Sequence, residues 1–173
     1  MSAVLDRTGT LARAWEVASS VVDPELPMLT LRDLGVLRDI SQDEDGTVVA
    51  AITPTYSGCP AMATMRDDLV RELQEAGFAD ARVRVVLSPP WTSDWISPEG
   101  RGALATAGIS PPGAAPRASG PVALQLLPTR RPVRCPRCGA EEVQLTSEFG
   151  STACKAMYQC RSCLEPFDHV KEI

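Results

Sequence analysis

Four cysteines, arranged as Cys135-Pro136-Arg137-Cys138 and Cys160-Arg161-Ser162-Cys163 with 21 residues between the pairs, are the side chains of this sequence best equipped for chemistry. Two residues between cysteines let one tight turn aim both sulfurs at a single ion, and a second such pair completes the tetrahedron that Zn²⁺ accepts without strain. Usual zinc spacing puts about 15–20 residues between pairs, so this separation lies just outside it and still suits a ribbon of two knuckles. Ligand softness places zinc first, iron second and disulfides last.

A fifth cysteine, Cys59, stands in Thr53-Pro54-Thr55-Tyr56-Ser57-Gly58-Cys59-Pro60, between an expected strand end and an expected helix start. Proline favours the first helical position, which makes Cys59 the expected N-cap, facing the positive end of the helix dipole. A thiolate is stabilised there and becomes a better ligand and nucleophile. The plainer alternative is a small buried apolar residue. Asp23 and Glu25 lie in the proline-stiffened loop Asp23-Pro24-Glu25-Leu26-Pro27 and would approach Cys59 if both loops share one edge of the sheet; otherwise they cap and solvate their own turn. Asp33-Leu34-Gly35 reads as turn chemistry. Cys154 reads as a buried packing residue first, with a spare ligand or a reactive thiol as the alternatives. The lone histidine, His169, reads as a surface or strand residue, which leaves no Ser-His-Asp arrangement. No Walker motif or GxGxxG is present.

The elements that must position these groups follow from periodicity. Leu11, Ala14, Trp15, Ala18, Val21 and Val22 recur at helical spacing over residues 10–22, and Asp23-Pro24 stops that helix. Strands are expected over 36–41 and 47–53, joined by the hairpin signal Asp43-Glu44-Asp45-Gly46. A second helix is expected over 60–76, with Met62, Met65, Leu69, Leu73 and Ala76 on one face and Gly77 as its C-cap. Residues 81–87 alternate as a half-buried strand. The order is α-β-β-α-β, an antiparallel hairpin with a parallel third strand, and therefore a small mixed sheet. Trp91 and Trp95 are expected to pack the following segment onto that sheet.

The fold class is α+β, a small α-β-β-α-β domain with a mixed sheet plus a C-terminal zinc ribbon. Domains are expected at 1–114 and 129–173, with a Pro/Ala/Gly-rich linker at 115–128. A 173-residue chain holds one ordinary domain and one metal-stapled module. Net charge of −5 disfavours nucleic acid, whose affinity comes from phosphate neutralisation, and Arg130, Arg131 and Arg134 do not reverse that sign. No long apolar run or leader-like segment is present, so a soluble, cytoplasmic protein with reduced thiols and no membrane partner is expected.

Together these motifs resemble known families. Asp23-Pro24-Glu25-Leu26-Pro27, Asp33-Leu34-Gly35 and Thr55-Tyr56-Ser57-Gly58-Cys59-Pro60 are similar to the small α/β domain of iron–sulfur assembly factors of the SufT type. Phe149-Gly150-Ser151-Thr152-Ala153-Cys154-Lys155, the two CxxC pairs and Glu165-Pro166-Phe167-Asp168 resemble the PaaD family of phenylacetate degradation, accessory to the multicomponent phenylacetyl-CoA epoxidase. The resemblance implies a maturation factor that assists iron–sulfur cluster assembly or transfer to the reductase component, and does not imply that this chain oxidises the substrate. It further implies Cys59 as the cluster- or iron-handling thiol with Asp23 and Glu25 beside it, and Cys135, Cys138, Cys160 and Cys163 as structural zinc ligands. One thiolate cannot hold a cluster that normally takes four. Transient binding of iron or a cluster, shared with a partner's cysteine or with Cys59 of a second copy in a homodimer, is the expectation. Rival readings are a stoichiometric structural subunit of the oxygenase, a docking module in which Cys59 is inert, and a thiol enzyme.

Overall fold

A computed structural model describes residues 7–56, 58–115 and 133–173. Residues 116–128 of the expected linker, with Arg130 and Arg131, lie outside the described residues. The chain divides into two compact units, Met1–Trp91 with Trp95–Gly100, and Thr92–Asp94 with Arg101–Ile173.

In the first unit the periodic segments become α1 (Arg7–Ser20), β1 (Leu37–Gln42), β2 (Val48–Ile52), α2 (Met62–Glu75) and β3 (Arg82–Val85). The sheet order is β1-β2-β3, with β1 antiparallel and β3 parallel to the central β2, as the sequence predicts. Every residue of β2 is buried, which explains its unbroken apolar run Val48-Val49-Ala50-Ala51-Ile52. Gly46 adopts φ +88 in the hairpin turn, and Asp43 N–H donates to Thr47 O at 2.9 Å. α2 buries Met65, Leu69 and Leu73. Its end is a Schellman cap: Gly77, at φ +99, donates its amide to Gln74 O at 2.9 Å and Phe78 donates to Leu73 O at 3.0 Å.

Three local expectations shift. α1 ends at Ser20, so Val21 stays in the core while Val22 leaves the helix, bridges to Thr30 and is exposed. β3 is shorter than the alternating segment 81–87, because its partner β2 ends at Ile52, and Leu87 beyond it is exposed. α2 begins at Met62 with Ala61 as N-cap, two residues after Cys59.

The tryptophans pack against the turn that leads into β1 and against its first residues. Trp91 is buried and donates Nε1–H to Leu34 O at 3.0 Å. Trp95 lies in a single 3₁₀ turn (Ser93–Trp95), with the Arg38 guanidinium 3.5 Å from its ring centroid. Gly35 must be glycine: its φ is +74, and a Cβ would come within 2.6 Å of Trp95 Cβ. Asp33 performs the expected turn chemistry, accepting Thr30 Oγ1–H at 2.8 Å through Oδ2. Its Oδ1 accepts Ser97 Oγ–H at 3.0 Å, and Ser97 in turn caps α3 (Pro98–Thr106) by accepting Gly100 N–H at 2.9 Å.

In the second unit β4 (Val143–Ser147), β5 (Lys155–Cys160) and β6 (Pro166–Val170) form an antiparallel sheet in that order. The long spacing between the cysteine pairs is thus a strand, a loop and a returning strand. Among the described residues Val133, Cys135, Cys160 and Phe167 form a buried apolar cluster there, with Tyr158 stacked on Phe167 at 5.9 Å. Ser110 pairs with the outer edge of β6: its amide donates to Asp168 O at 2.8 Å and its carbonyl accepts Val170 N–H at 3.0 Å.

Candidate functional site

The two knuckles are built alike. Cys135 N–H donates to Ala140 O and Cys160 N–H donates to Glu165 O, both at 2.9 Å, so each CxxC pair begins an equivalent closed turn. The residue after each second cysteine is left-handed, Gly139 at φ +75 and Leu164 at φ +64. Glycine adopts this conformation without penalty, whereas leucine costs about 1–2 kcal/mol.

These turns bring all four sulfurs within 4.8 Å of one another, with Cys135 Sγ 3.7 Å from Cys163 Sγ and Cys138 Sγ 3.6 Å from Cys160 Sγ. A zinc ion about 2.3 Å from each sulfur sets the edge of its tetrahedron at roughly 3.8 Å. The donor set and its spacing therefore fit a closed tetrathiolate centre. Backbone amides prepare it: Cys160 Sγ accepts N–H from Ser162 and Cys163, each at 3.4 Å. The Cys163 amide foremost, then that of Ser162, pushes the Cys160 thiol down to about 6. At Cys163 the Glu165 amide pulls the other way, but desolvation and the neighbouring sulfurs outweigh it and push the thiol up to about 12. Negative charge on these sulfurs resists accumulation without a cation, which is what a divalent ion supplies. The Leu164 conformation and the amide donors to sulfur could not be identified from residue types; the CxxC-Gly of the first knuckle was the one available signal.

Cys154 lies outside this cluster, buried, with Sγ 3.0 Å from Thr152 Oγ1. His169 is a residue of β6, in keeping with the expected strand position, and it is buried instead of at the surface. Its Nδ1 is 3.1 Å from Ser110 Oγ and its Nε2 3.2 Å from Glu172 Oε1. A serine, histidine and carboxylate line is therefore present after all, contrary to the sequence expectation. Ser110 is only 3% exposed, so no substrate can reach its hydroxyl, and the line serves as an internal strut.

Cys59 is half-buried in the loop after β2. It is not the N-cap of α2; its amide donates to Tyr56 O at 3.2 Å and its carbonyl accepts Met62 N–H at 3.3 Å, so it occupies the turn just before the helix. Asp23 is buried, and its Oδ1 accepts N–H from Glu25 at 2.9 Å and Leu26 at 2.8 Å. Asp23 N–H donates to Leu29 O at 2.9 Å, closing the loop over the buried Leu26 and Leu29, with Glu25 half-buried at its rim. Backbone bonds tie this loop to the sheet end from which the Cys59 loop departs: Leu31 donates to Val21 O, Val36 donates to Leu31 O, and Thr53 donates to Val36 O. Val86 N–H donates to Ile52 O at 2.8 Å, so the loop after β3 leaves at that end too. The carboxyl ends of parallel strands are where open α/β sheets commonly gather reactive groups.

Among the described residues no helix is long and apolar enough to cross a membrane.

Comparison with known proteins adds an independent line. A family model described as the PaaD zinc beta ribbon domain matches residues 119–171, and one described as iron–sulfur cluster assembly protein matches residues 12–89. An Escherichia coli protein named as a putative subunit of 1,2-phenylacetyl-CoA epoxidase is 45% identical over 157 residues, covering 91% of this chain and 90% of its own length. The Fe-S protein maturation auxiliary factor YitW of Bacillus subtilis is 37% identical over 78 residues, which is 44% of this chain and 76% of that protein. A crystal structure of a domain of unknown function, DUF59, from Bacillus anthracis superposes with a TM-score of 0.52 at 27% identity, covering 57% of this chain and 93% of that one.

Proposed function

The chain belongs to the PaaD family, and from that premise we propose that it assists iron–sulfur cluster assembly in phenylacetyl-CoA epoxidation, with the iron–sulfur reductase component as its client. The observation that carries this reading is the union in one chain of an iron–sulfur assembly domain, with Cys59 in its loop after β2, and a PaaD ribbon. The two parts suit different tasks. A closed tetrathiolate has no open coordination position, so it stabilises fold or presents a surface. Cys59 belongs to a single turn and can lend one sulfur and withdraw it. Clusters are normally held by four cysteines, so one Cys59 thiolate acts in transient handover, the remaining sulfurs coming from the client or a second copy. Here iron, or the cluster, is cargo. Glu25 lies half-buried in the neighbouring loop at the same end of the sheet, while Asp23 holds that loop closed.

The test is cluster occupancy of the reductase component, read as iron and acid-labile sulfide, purified from cells that lack the native protein and carry either the wild-type chain or Cys59→Ser. Loss of occupancy with Cys59→Ser is expected; full occupancy would refute the handover role. A second reading, a stoichiometric structural subunit, is favoured by the name of the Escherichia coli relative, which calls it part of the epoxidase. Co-purification at constant stoichiometry with the oxygenase, with normal cluster content in its absence, would establish that alternative.

A further inference from the structure

The four ribbon sulfurs are unequally guarded. Cys135 and Cys160 are buried, at 2% and 0% exposure, whereas Cys138 and Cys163 are exposed. Each knuckle thus contributes one covered and one open ligand. The sulfur of each exposed cysteine also lies beside that of a buried cysteine of the opposite knuckle, Cys138 to Cys160 at 3.6 Å and Cys163 to Cys135 at 3.7 Å. Cys160 is further shielded by the two amides that donate to its sulfur. Thiolate oxidation follows thiolate character and access, and both coincide at the open pair once the sulfurs are ionised by a metal.

We propose that the ribbon is a peroxide-sensitive zinc centre, with Cys138 and Cys163 as its oxidation sites and the cross-knuckle disulfides Cys138–Cys160 and Cys135–Cys163 as its products. In the first step the Cys138 thiolate attacks one oxygen of hydrogen peroxide. The O–O bond breaks, the departing hydroxide takes a proton from solvent, and Cys138 becomes a sulfenic acid. The Cys160 thiolate then attacks that sulfur; the S–O bond breaks, and the second hydroxide leaves as water with another solvent proton. Two thiolates have supplied two electrons, one peroxide has become two waters, and only Cys135 and Cys163 would remain to hold an ion that takes four sulfurs. The ion would leave at this point, and a second peroxide oxidises Cys163 and Cys135 in the same way. Because Cys135 and Cys160 are buried with Val133 and Phe167 in one apolar cluster of the ribbon, release of the ion also loosens that cluster.

The chain itself provides the means of reading the linkage. Arg137 lies between the first two cysteines and Arg161 between the second two, so trypsin separates the members of each knuckle. The experiment uses the full chain loaded with zinc under nitrogen, its zinc content measured first, then titrated with hydrogen peroxide while a chromogenic chelator reports released metal. Non-reducing tryptic mass mapping follows. Release of about one zinc per chain, with Cys138–Cys160 and Cys135–Cys163 linkages and an unchanged course in Cys59→Ser, is expected. Zinc that stays bound under a tenfold peroxide excess, linkage within a knuckle, or release that depends on Cys59 would each overturn the proposal. Failure to take up zinc at all would overturn the ribbon reading beneath it, and is distinguished by the initial metal measurement.

Discussion

Truncating Asp23 separates the structural work of its loop from any role in handling iron. Its Oδ1 accepts two amide hydrogens, from Glu25 at 2.9 Å and Leu26 at 2.8 Å, in a residue only 5% exposed. Hydrogen bonds to a charged group contribute roughly 1.5–3 kcal/mol each, and a buried amide left without an acceptor costs about 1–3 kcal/mol. Water can reach part of the loop rim, so Asp23→Ala is expected to destabilise the first unit by about 3–4 kcal/mol. Asp23→Asn keeps an acceptor oxygen in place but loses the charge, which roughly halves the strength of each bond, and is expected to cost about 1–2 kcal/mol. The assay is urea unfolding followed by tryptophan fluorescence. All three tryptophans, Trp15, Trp91 and Trp95, belong to the first unit, so the signal reports that unit alone. Asp23→Ala with wild-type stability would refute the loop-closure argument, and equal losses in Asp23→Ala and Asp23→Asn would show that charge, not acceptor geometry, holds the loop. A stable Asp23→Asn that fails to support cluster occupancy of the reductase would assign the carboxylate a part in handover.

Cys160→Ser removes the most enclosed ligand together with the sulfur that accepts two amides; zinc content is expected to fall to near zero and amide exchange over 133–173 to accelerate, since structural zinc supplies on the order of 10 kcal/mol to such modules. Unchanged exchange protection would show that the ribbon folds without its ion. Leu164→Gly relieves a left-handed leucine that is 68% exposed, and a gain of about 1 kcal/mol in thermal or denaturant unfolding is expected; a loss would mean that the side chain makes a contact its exposure denies. Burial alone would raise the Glu172 carboxyl, but the His169 hydrogen bond and then the Gly113 amide outweigh it and hold it at about 2, below the usual 4.5. The folded value is depressed, so its stabilisation, on the order of 3 kcal/mol, is complete above about pH 4.5 and fades as pH falls toward 2. The difference between wild type and Glu172→Gln, in which thiol protonation cancels, should follow that window; a difference independent of pH would refute the linkage.

Much of the fold was legible because its signals are local. Asp45-Gly46 specified the hairpin and Gly77 the end of α2, since a positive φ is tolerated by few residues. The run Val48–Ile52 announced a central strand, and its parallel neighbour followed from the intervening helix and the handedness of crossovers. Errors arose where a local pattern had to be settled by distant contacts. Cys59-Pro60 resembled a helix start, yet the chain makes one more turn before Ala61 caps α2. Val22 continued the apolar spacing of α1 but was drawn into pairing with Thr30. His169 gave no hint of burial, because its partner Ser110 is 59 residues away.

The amino-acid sequence alone determined the donor set of the ribbon, four cysteines in two pairs, because the coordination chemistry of sulfur requires a particular residue type and a short spacing to form a knuckle. It likewise determined the α-β-β-α-β order, since periodicity is carried by consecutive side chains. Tertiary structure alone decided which sulfurs are covered, that Asp23 is occupied by its own loop, and that both N-terminal motif loops leave one end of the sheet. Burial and hydrogen-bond partnership depend on where separate elements meet. No window of residue types encodes that meeting.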